Sequence, residues 1–271
     1  MATSLSLEVV ELIIDIVADE DDYYLSSIKA CALVCHAFLP LCRKYIFAIV
    51  VLNERLGRTS SPTSDDLNLL LSNSPHLAVY IRGLIYHVNK REFVAKRLSW
   101  LSSMFKKLAK LQKLSISYSP SAKGRRLDWM SSSERKILLP LLHHPTLTSI
   151  SLSSIRNFAL ADLAGCVNLK ELRFKSLECP TDVGKFLEAL PATPAMLERL
   201  EIYGGSIGLL HQLCHIRRPD GKPIIDFPSL KEIAATVAQL DSMKELFGKF
   251  RNLHKINLTS MSLPHLISSS I

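Results

Sequence analysis

A Leu-x-x-Leu-x-Leu frame recurs along this chain, and it limits the possible folds more than any other feature. It stands at Leu111/Leu114/Ile116, Leu147/Ile150/Leu152, Leu169/Leu172/Phe174, Leu197/Leu200/Ile202, Leu230/Ile233/Ala235 and Leu253/Ile256/Leu258, with a looser copy at Ile81/Leu84/Tyr86. Successive starts lie 30, 36, 22, 28, 33 and 23 residues apart. Short lead-ins precede several frames: His144-Pro-Thr146, Cys166-Val-Asn168, Phe227-Pro-Ser229 and Phe250-Arg-Asn252. The second and third apolar positions are two residues apart, so they share one face of a strand. Helical stretches such as Asp182 to Leu190 and Ala238 to Lys249 lie between frames. A strand that is apolar on one side, returned by a helix, buries its leucines only against neighbouring copies. The expectation is an α/β solenoid over residues 77–271.

Within each frame, the residues alternating with the second and third apolar positions point away from the core. They read Lys113, Ser115 and Ser117; Ser149, Ser151 and Ser153; Glu171, Arg173 and Lys175; Arg199, Glu201 and Tyr203; Glu232 and Ala234; Lys255, Asn257 and Thr259. Arg173, Lys175, Arg199 and Tyr203 fall together in mid-array. Arginines with a tyrosine can hold a carboxylate or phosphate and stack on an apolar group. Glu171 and Glu201 are close enough in the frame to neutralise those arginines.

The first 52 residues have a different pattern. Ser6 is a candidate N-cap, Glu8 lies in the first turn, and Val9, Leu12, Ile13 and Ile16 follow helical spacing. Asp19 to Asp22 reads as a loop. A second helix is expected from Ser26 to Phe38, with Ile28, Cys31, Ala32, Cys35 and Leu39 on its apolar face. Pro40 ends it or starts the next helix, Leu41 to Phe47 gives a third short helix, and Ala48 to Leu52 a first strand. Three helices this short cannot bury all their apolar faces among themselves, so some of that surface should go to a neighbour. Residues 53–76 contain a turn-rich patch (Gly57, Ser60, Ser61, Pro62, Thr63, Ser64) and connect head to body, with a helix expected at Asp65 to Leu71. Ser117 to Ser133 reads as an inserted, exposed loop.

Composition narrows the function classes. Of 271 residues, 48% are hydrophobic, enough for a core. The longest apolar run is Tyr45 to Leu52, too short to span a membrane. No basic segment precedes the first apolar stretch, so a secretory signal is not expected. Six cysteines are too sparse for a disulfide scaffold and read as reduced thiols of the cytoplasm or nucleus. The net charge of +8 divides unevenly. Residues 1–52 carry seven acids and three bases, and the remainder is strongly basic, most densely from Arg82 to Lys136. An acidic head on a basic body suggests two surfaces with different partners.

The chemical motifs are weak. His211-x-x-Cys214-His215 puts two imidazoles on one helical face, but no second cluster completes a zinc set. Cys31 and Cys35 read as core thiols. Tyr203-Gly-Gly-Ser-Ile-Gly208 lacks the spacing of a phosphate loop. Ser26-x-x-Lys29 and Ser103-x-x-Lys106 have no partner motif. No catalytic residue, metal or cofactor is expected. In the basic stretch Phe93, Trp100, Phe105 and Trp129 are candidate stacking platforms for nucleic acid. Trp100 falls in the apolar register Phe93/Leu101/Phe105/Leu108, however, and a solvated helix face from Lys90 to Lys110 is the plainer reading.

Two resemblances add to this. Leu5 to Asp15, Ser27 to Pro40 and Arg43 to Phe47 resemble the F-box motif, in the F-box-like form common in mushroom-forming fungi. Leu5, Glu8, Val9, Val34, Cys35 and Phe38 match it residue by residue, and Ser6 stands in place of the motif's proline. The body resembles an irregular leucine-rich-repeat array. The regular family's asparagine position, three after the third apolar residue, holds Ser119, Ile155, Leu177, Gly205, Ala238 and Met261 here. The resemblances imply an F-box-like helical domain at 1–52, a connecting segment at 53–76 and a leucine-rich-repeat domain at 77–271. They imply the substrate-recognition subunit of an SCF-type cullin–RING ubiquitin ligase. Its head would hold the Skp-type adaptor through Leu5, Val9, Leu12, Leu33, Val34 and Phe38. Its repeats would hold an acidic or phosphorylated client protein at Arg173, Lys175, Arg199 and Tyr203. The competing expectation is a basic repeat scaffold for nucleic acid or an acidic partner, with a degenerate head.

Overall fold

A computed structural model describes residues 6–20, 25–53, 62–88, 103–118, 126–130, 133–180, 191–204, 208–236, 248 and 250–259. The chain is mixed α/β, with a large parallel sheet and several helices. It divides into two compact units, Met1–Leu114 and Ser115–Ile271. Among the described residues no helix is long and apolar enough to cross a membrane.

The first unit opens with three helices: α1 (Leu7–Glu20), α2 (Ser26–Ala32) and α3 (Phe38–Ile46). Their core is Val10, Ile14, Ile28 and Cys42, with Val17, Phe38, Leu41, Tyr45 and Ile46 packed against it. The expected second helix stops early, at Ala32. Pro40 keeps the second and third helices separate, because a helix continued through it would drive its ring into the carbonyl of residue 36. With α3 starting at Phe38, Pro40 sits in the first turn, where its missing N–H would have had no helical partner. Cys35 therefore lies outside any helix and is exposed, not a core thiol. All six cysteines are free; Cys42, Cys166 and Cys214 are buried.

Strand β1 (Ile49–Asn53) follows, then α4 (Ser64–Asn73), a 3-10 turn (Pro75–Tyr80) and β2 (Gly83–Val88). Thr63 caps α4 in a reciprocal box: its hydroxyl accepts from the Asp66 N–H at 3.3 Å, and the Asp66 carboxylate accepts from the Thr63 N–H at 2.8 Å. Strands β1 and β2 pair in parallel from Ile49↔Gly83 to Asn53↔His87. Residues 103–106 are helical, and Phe105 is buried edge-on against Tyr86, with ring centroids 6.3 Å apart. It is a core residue, not a stacking platform. Phe93 and Trp100, and the rest of the expected Lys90–Lys110 helix before residue 103, lie outside the described residues.

The boundary between units falls inside β3 (Lys113–Tyr118). The second unit then adds β4 (Leu127–Asp128), α5 (Ser133–Leu142), β5 (Ser149–Ser153), β6 (Ile155–Arg156), a 3-10 turn (Leu160–Gly165), β7 (Glu171–Lys175), β8 (Ala195–Met196), β9 (Arg199–Tyr203), α6 (Leu209–His215), β10 (Ile225–Asp226), β11 (Glu232–Thr236) and β12 (Lys255–Thr259). Strands β5, β7, β9, β11 and β12 pair successively, all parallel. Their frames align in register: Ile150, Leu172, Leu200, Ile233 and Ile256 form one row, and Leu152, Phe174, Ile202, Ala235 and Leu258 the next. Leucine at the first frame position closes a turn before β5, β7 and β11, through Leu147 N–H to His144 O at 3.0 Å, Leu169 N–H to Cys166 O at 3.3 Å and Leu230 N–H to Phe227 O at 3.0 Å, whereas Leu197 N–H donates across to Asp226 O at 3.2 Å. Strands β7, β9, β11 and β12 each begin with two successive N–H groups donating to one carbonyl just ahead of or at the start of the preceding strand. Lys170 and Glu171 share Thr148, Glu198 and Arg199 share Lys170, and Lys231 and Glu232 share Glu198. The lead-in asparagines repeat as well, with Asn168 Nδ2 donating to Pro145 O and Asn252 Nδ2 to Pro228 O, both at 2.6 Å.

The chain leaves three of these strands through a left-handed turn. Two residues past the third apolar position, Ser154, Ser176 and Gly204 take positive φ of 58°, 52° and 66° and turn the chain. The next residues, Ile155 and Leu177, are fully buried. The turn backbone is satisfied by neighbouring backbone: Glu178 N–H donates to Ile155 O, and Phe158 N–H to Glu178 O. The expected exposed loop at Ser117–Ser133 is corrected in its described part. Strand β4 pairs with β6 through Leu127↔Ile155, and Trp129 is fully buried. Residues 119–125, Asp182–Leu190 and nearly all of Ala238–Lys249 lie outside the described residues.

Candidate functional site

Helix α1 is apolar on two faces. Val10, Ile14 and Val17 turn into the head's own core. The set with the stronger helical spacing, Val9, Leu12, Ile13 and Ile16, points outward; Leu12 is 60% exposed. Leu33 and Val34 sit in the turn that ends α2 and are 88% and 69% exposed. Their backbones are fixed there by N–H bonds to Ala30 O and Cys31 O at 3.0 and 3.1 Å. Large exposed apolar side chains are candidates for an interaction surface. Four of the expected adaptor contacts (Val9, Leu12, Leu33, Val34) are thus exposed. Phe38 is half-buried against the head core, and Leu5 lies outside the described residues. Ile13 and Ile16 join the exposed set.

A polar clamp holds the outward face of α1 in place. Lys44 on α3 reaches Glu11 at 3.0 Å and Asp15 at 2.8 Å, and the Tyr45 hydroxyl donates to Asp15 at 2.5 Å. The bond from Lys44, and then that from Tyr45, hold the Asp15 carboxyl below the ordinary range. The same bond to Asp15 raises the Lys44 ammonium.

In the second unit, the outward face of the parallel strands carries a charge ladder. Arg199 lies between Glu171 and Glu232, at 4.0 and 2.9 Å, and Glu232 also meets Lys255 at 3.5 Å. One register row along, Arg173 faces Glu201 across the strand pair and bonds it at 2.6 Å. Glu198, just before β9, bridges Lys170 at 3.0 Å and Lys231 at 2.6 Å. In the third row Ser153, Lys175 and Tyr203 are register partners. Burial, then Glu201, raise the Tyr203 hydroxyl above its ordinary range. The four expected client residues do share one face. The two arginines are engaged by carboxylates, and among the described residues Lys175 carries no ion pair.

Elsewhere, His211 and His215 stack on α6 with ring centroids 4.1 Å apart, and His215 Nδ1 lies 2.9 Å from His211 O. Among the described residues no group of three His, Cys, Asp or Glu side chains is placed to hold a metal. Trp129 spends its indole N–H on buried Asp162 at 2.7 Å, so it offers no stacking platform. No family model matches the chain, and no curated protein matches it.

The ladder was open to a sequence reading. Aligning the frames by their first leucine puts Glu171, Arg199, Glu232 and Lys255 at one offset with alternating sign. The Lys44 clamp and the Asp162 carboxylate had no such signal, because their partners lie 27 to 33 residues away in sequence and follow no frame.

Proposed function

We propose that this chain is the substrate-recognition subunit of an SCF-type cullin–RING ubiquitin ligase. In this reading an F-box-like head holds a Skp-type adaptor, and an irregular leucine-rich-repeat body holds the client. The observation that carries it is the apolar surface of the head, Val9, Leu12, Ile13, Ile16, Leu33 and Val34, which the head leaves exposed although its own core is filled by other residues. Burying one large apolar side chain contributes about 1.5–3 kcal/mol. The ubiquitin-transfer chemistry belongs to other subunits.

The test uses the full chain. Leu12→Asp with Val34→Asp introduces two charges on exposed positions and leaves Val10, Ile14, Ile28 and Cys42 in place. Capture of a Skp-type adaptor should be lost, while the circular dichroism spectrum and thermal melt stay unchanged. Full adaptor capture by a folded double variant would sink the reading.

A further inference from the structure

The ion pairs on the sheet of the second unit are layered. Glu201, Glu232 and Glu198 lie low, with side chains 15%, 24% and 32% exposed, while the cations paired with them stand 43% to 60% exposed. Only Glu171, at 4.0 Å from Arg199, is as exposed as its partner. The face is therefore cationic at its outer edge and neutralised from beneath. Counting Lys175, the outward rows hold four cations and three carboxylates, and the Lys170–Glu198–Lys231 bridge at the strand starts adds two cations and one carboxylate. Each guanidinium keeps donors beyond those its glutamate uses, since it has five N–H groups.

From this layering we infer that the face binds an acidic segment of a partner protein, through Asp or Glu carboxylates spread over several strands. Charge complementarity selects this occupant. The excess charge is small and distributed, which suits monoanions set along an extended chain at the roughly 6.6–7 Å spacing of same-side residues. A phosphate dianion would concentrate its charge over glutamates that repel it. The row Ser153–Lys175–Tyr203 gives the clearest anchor, an ammonium with no ion pair among the described residues, beside a hydroxyl and an aromatic ring. The inference rests on the recognition role proposed above and names the class of client for it.

The probe is a fluorescent oligoglutamate peptide, titrated with the full chain and read by anisotropy. It should bind at low ionic strength and weaken as salt is raised, because exposed charges are screened. Arg173→Glu with Arg199→Glu should weaken it by about tenfold or more, the change that about 1.4 kcal/mol makes in an affinity. Lys175→Glu, which breaks no ion pair with a described residue, guards against a misfolded double variant and should weaken binding in the same direction. Equal binding by wild type and Lys175→Glu, or equal binding of oligolysine, overturns the site. Tighter binding of a phosphoserine peptide than of oligoglutamate overturns the carboxylate assignment. The adaptor-face variant Leu12→Asp with Val34→Asp should bind oligoglutamate as wild type does. Peptide binding by a wild-type chain that captures no adaptor would defeat the ligase reading alone. Adaptor capture without peptide binding would defeat this inference alone.

Discussion

Asp162 collects three hydrogen bonds on one buried carboxylate. Its carboxylate accepts from Trp129 Nε1 at 2.7 Å and from Arg135 Nε and Nη2 at 2.9 and 2.8 Å, while its own carbonyl meets His143 Nε2 at 2.7 Å. The acid is buried, and Arg135 is about a quarter exposed. Gly165 belongs to the same arrangement: a Cβ there would come within 2.6 Å of the His143 ring. Removing one partner of a buried pair is costlier than removing one neutral hydrogen bond, because a desolvated charge is left behind. Asp162→Ala should therefore cost about 1–3 kcal/mol in urea unfolding, since the Arg135 charge it leaves behind still reaches water. Trp129→Phe keeps the ion pair and most of the ring packing and should cost clearly less. The reverse order would show that the indole packing, not the ion pair, holds this site.

At the scale of elements, the head shows how one helix serves two purposes. Helix α1 presents Val10 and Ile14 inward and Leu12 and Ile16 outward, and the Lys44 clamp fixes its rotation. That clamp has a pH signature. The Asp15 carboxyl is held low in the folded state, so its contribution is present above the ordinary carboxylate pKa of about 3.9 and is lost as pH falls through the lower folded value. Lys44→Ala should lower the melting temperature of the head at neutral pH. It should also shrink the difference between melts at neutral pH and at a pH below the carboxylate range. An unchanged pH dependence in Lys44→Ala would mean that Asp15 is held by Tyr45 alone.

For the molecule as a whole, stability should be uneven along the parallel strands. Units that bury their leucines against neighbours are most stable where they have neighbours on both sides. Leu172 in β7 is flanked by β5 and β9 and is almost fully buried, while Ile256 in β12 is 44% exposed. Leu172→Ala should cost about 2–5 kcal/mol, the usual range for a large core side chain. Ile256→Ala should cost much less. Equal losses in denaturant titrations would contradict the graded core.

The body was legible in the sequence because its structure is repetitive. A frame of two alternating apolar residues predicts which side chains go in, and burial of Leu114, Ile150, Leu172, Leu200 and Ile233 follows that pattern in successive strands. The four residues expected to face a client do share a face for the same reason. Trp129 and Phe105 were harder to place, since an aromatic residue among charges fits either a stacking platform or a core. Distant partners decided, a carboxylate from one turn and a ring from another strand. In α1 the sequence determined that the helix has more apolar surface than one core can take. It could not determine which face would be buried, because Val9/Leu12/Ile13/Ile16 and Val10/Ile14/Val17 both satisfy helical spacing. Local periodicity fixes the elements and their alternation. Which of two equivalent faces is buried, and which charge meets which, depends on groups brought together only when the elements pack.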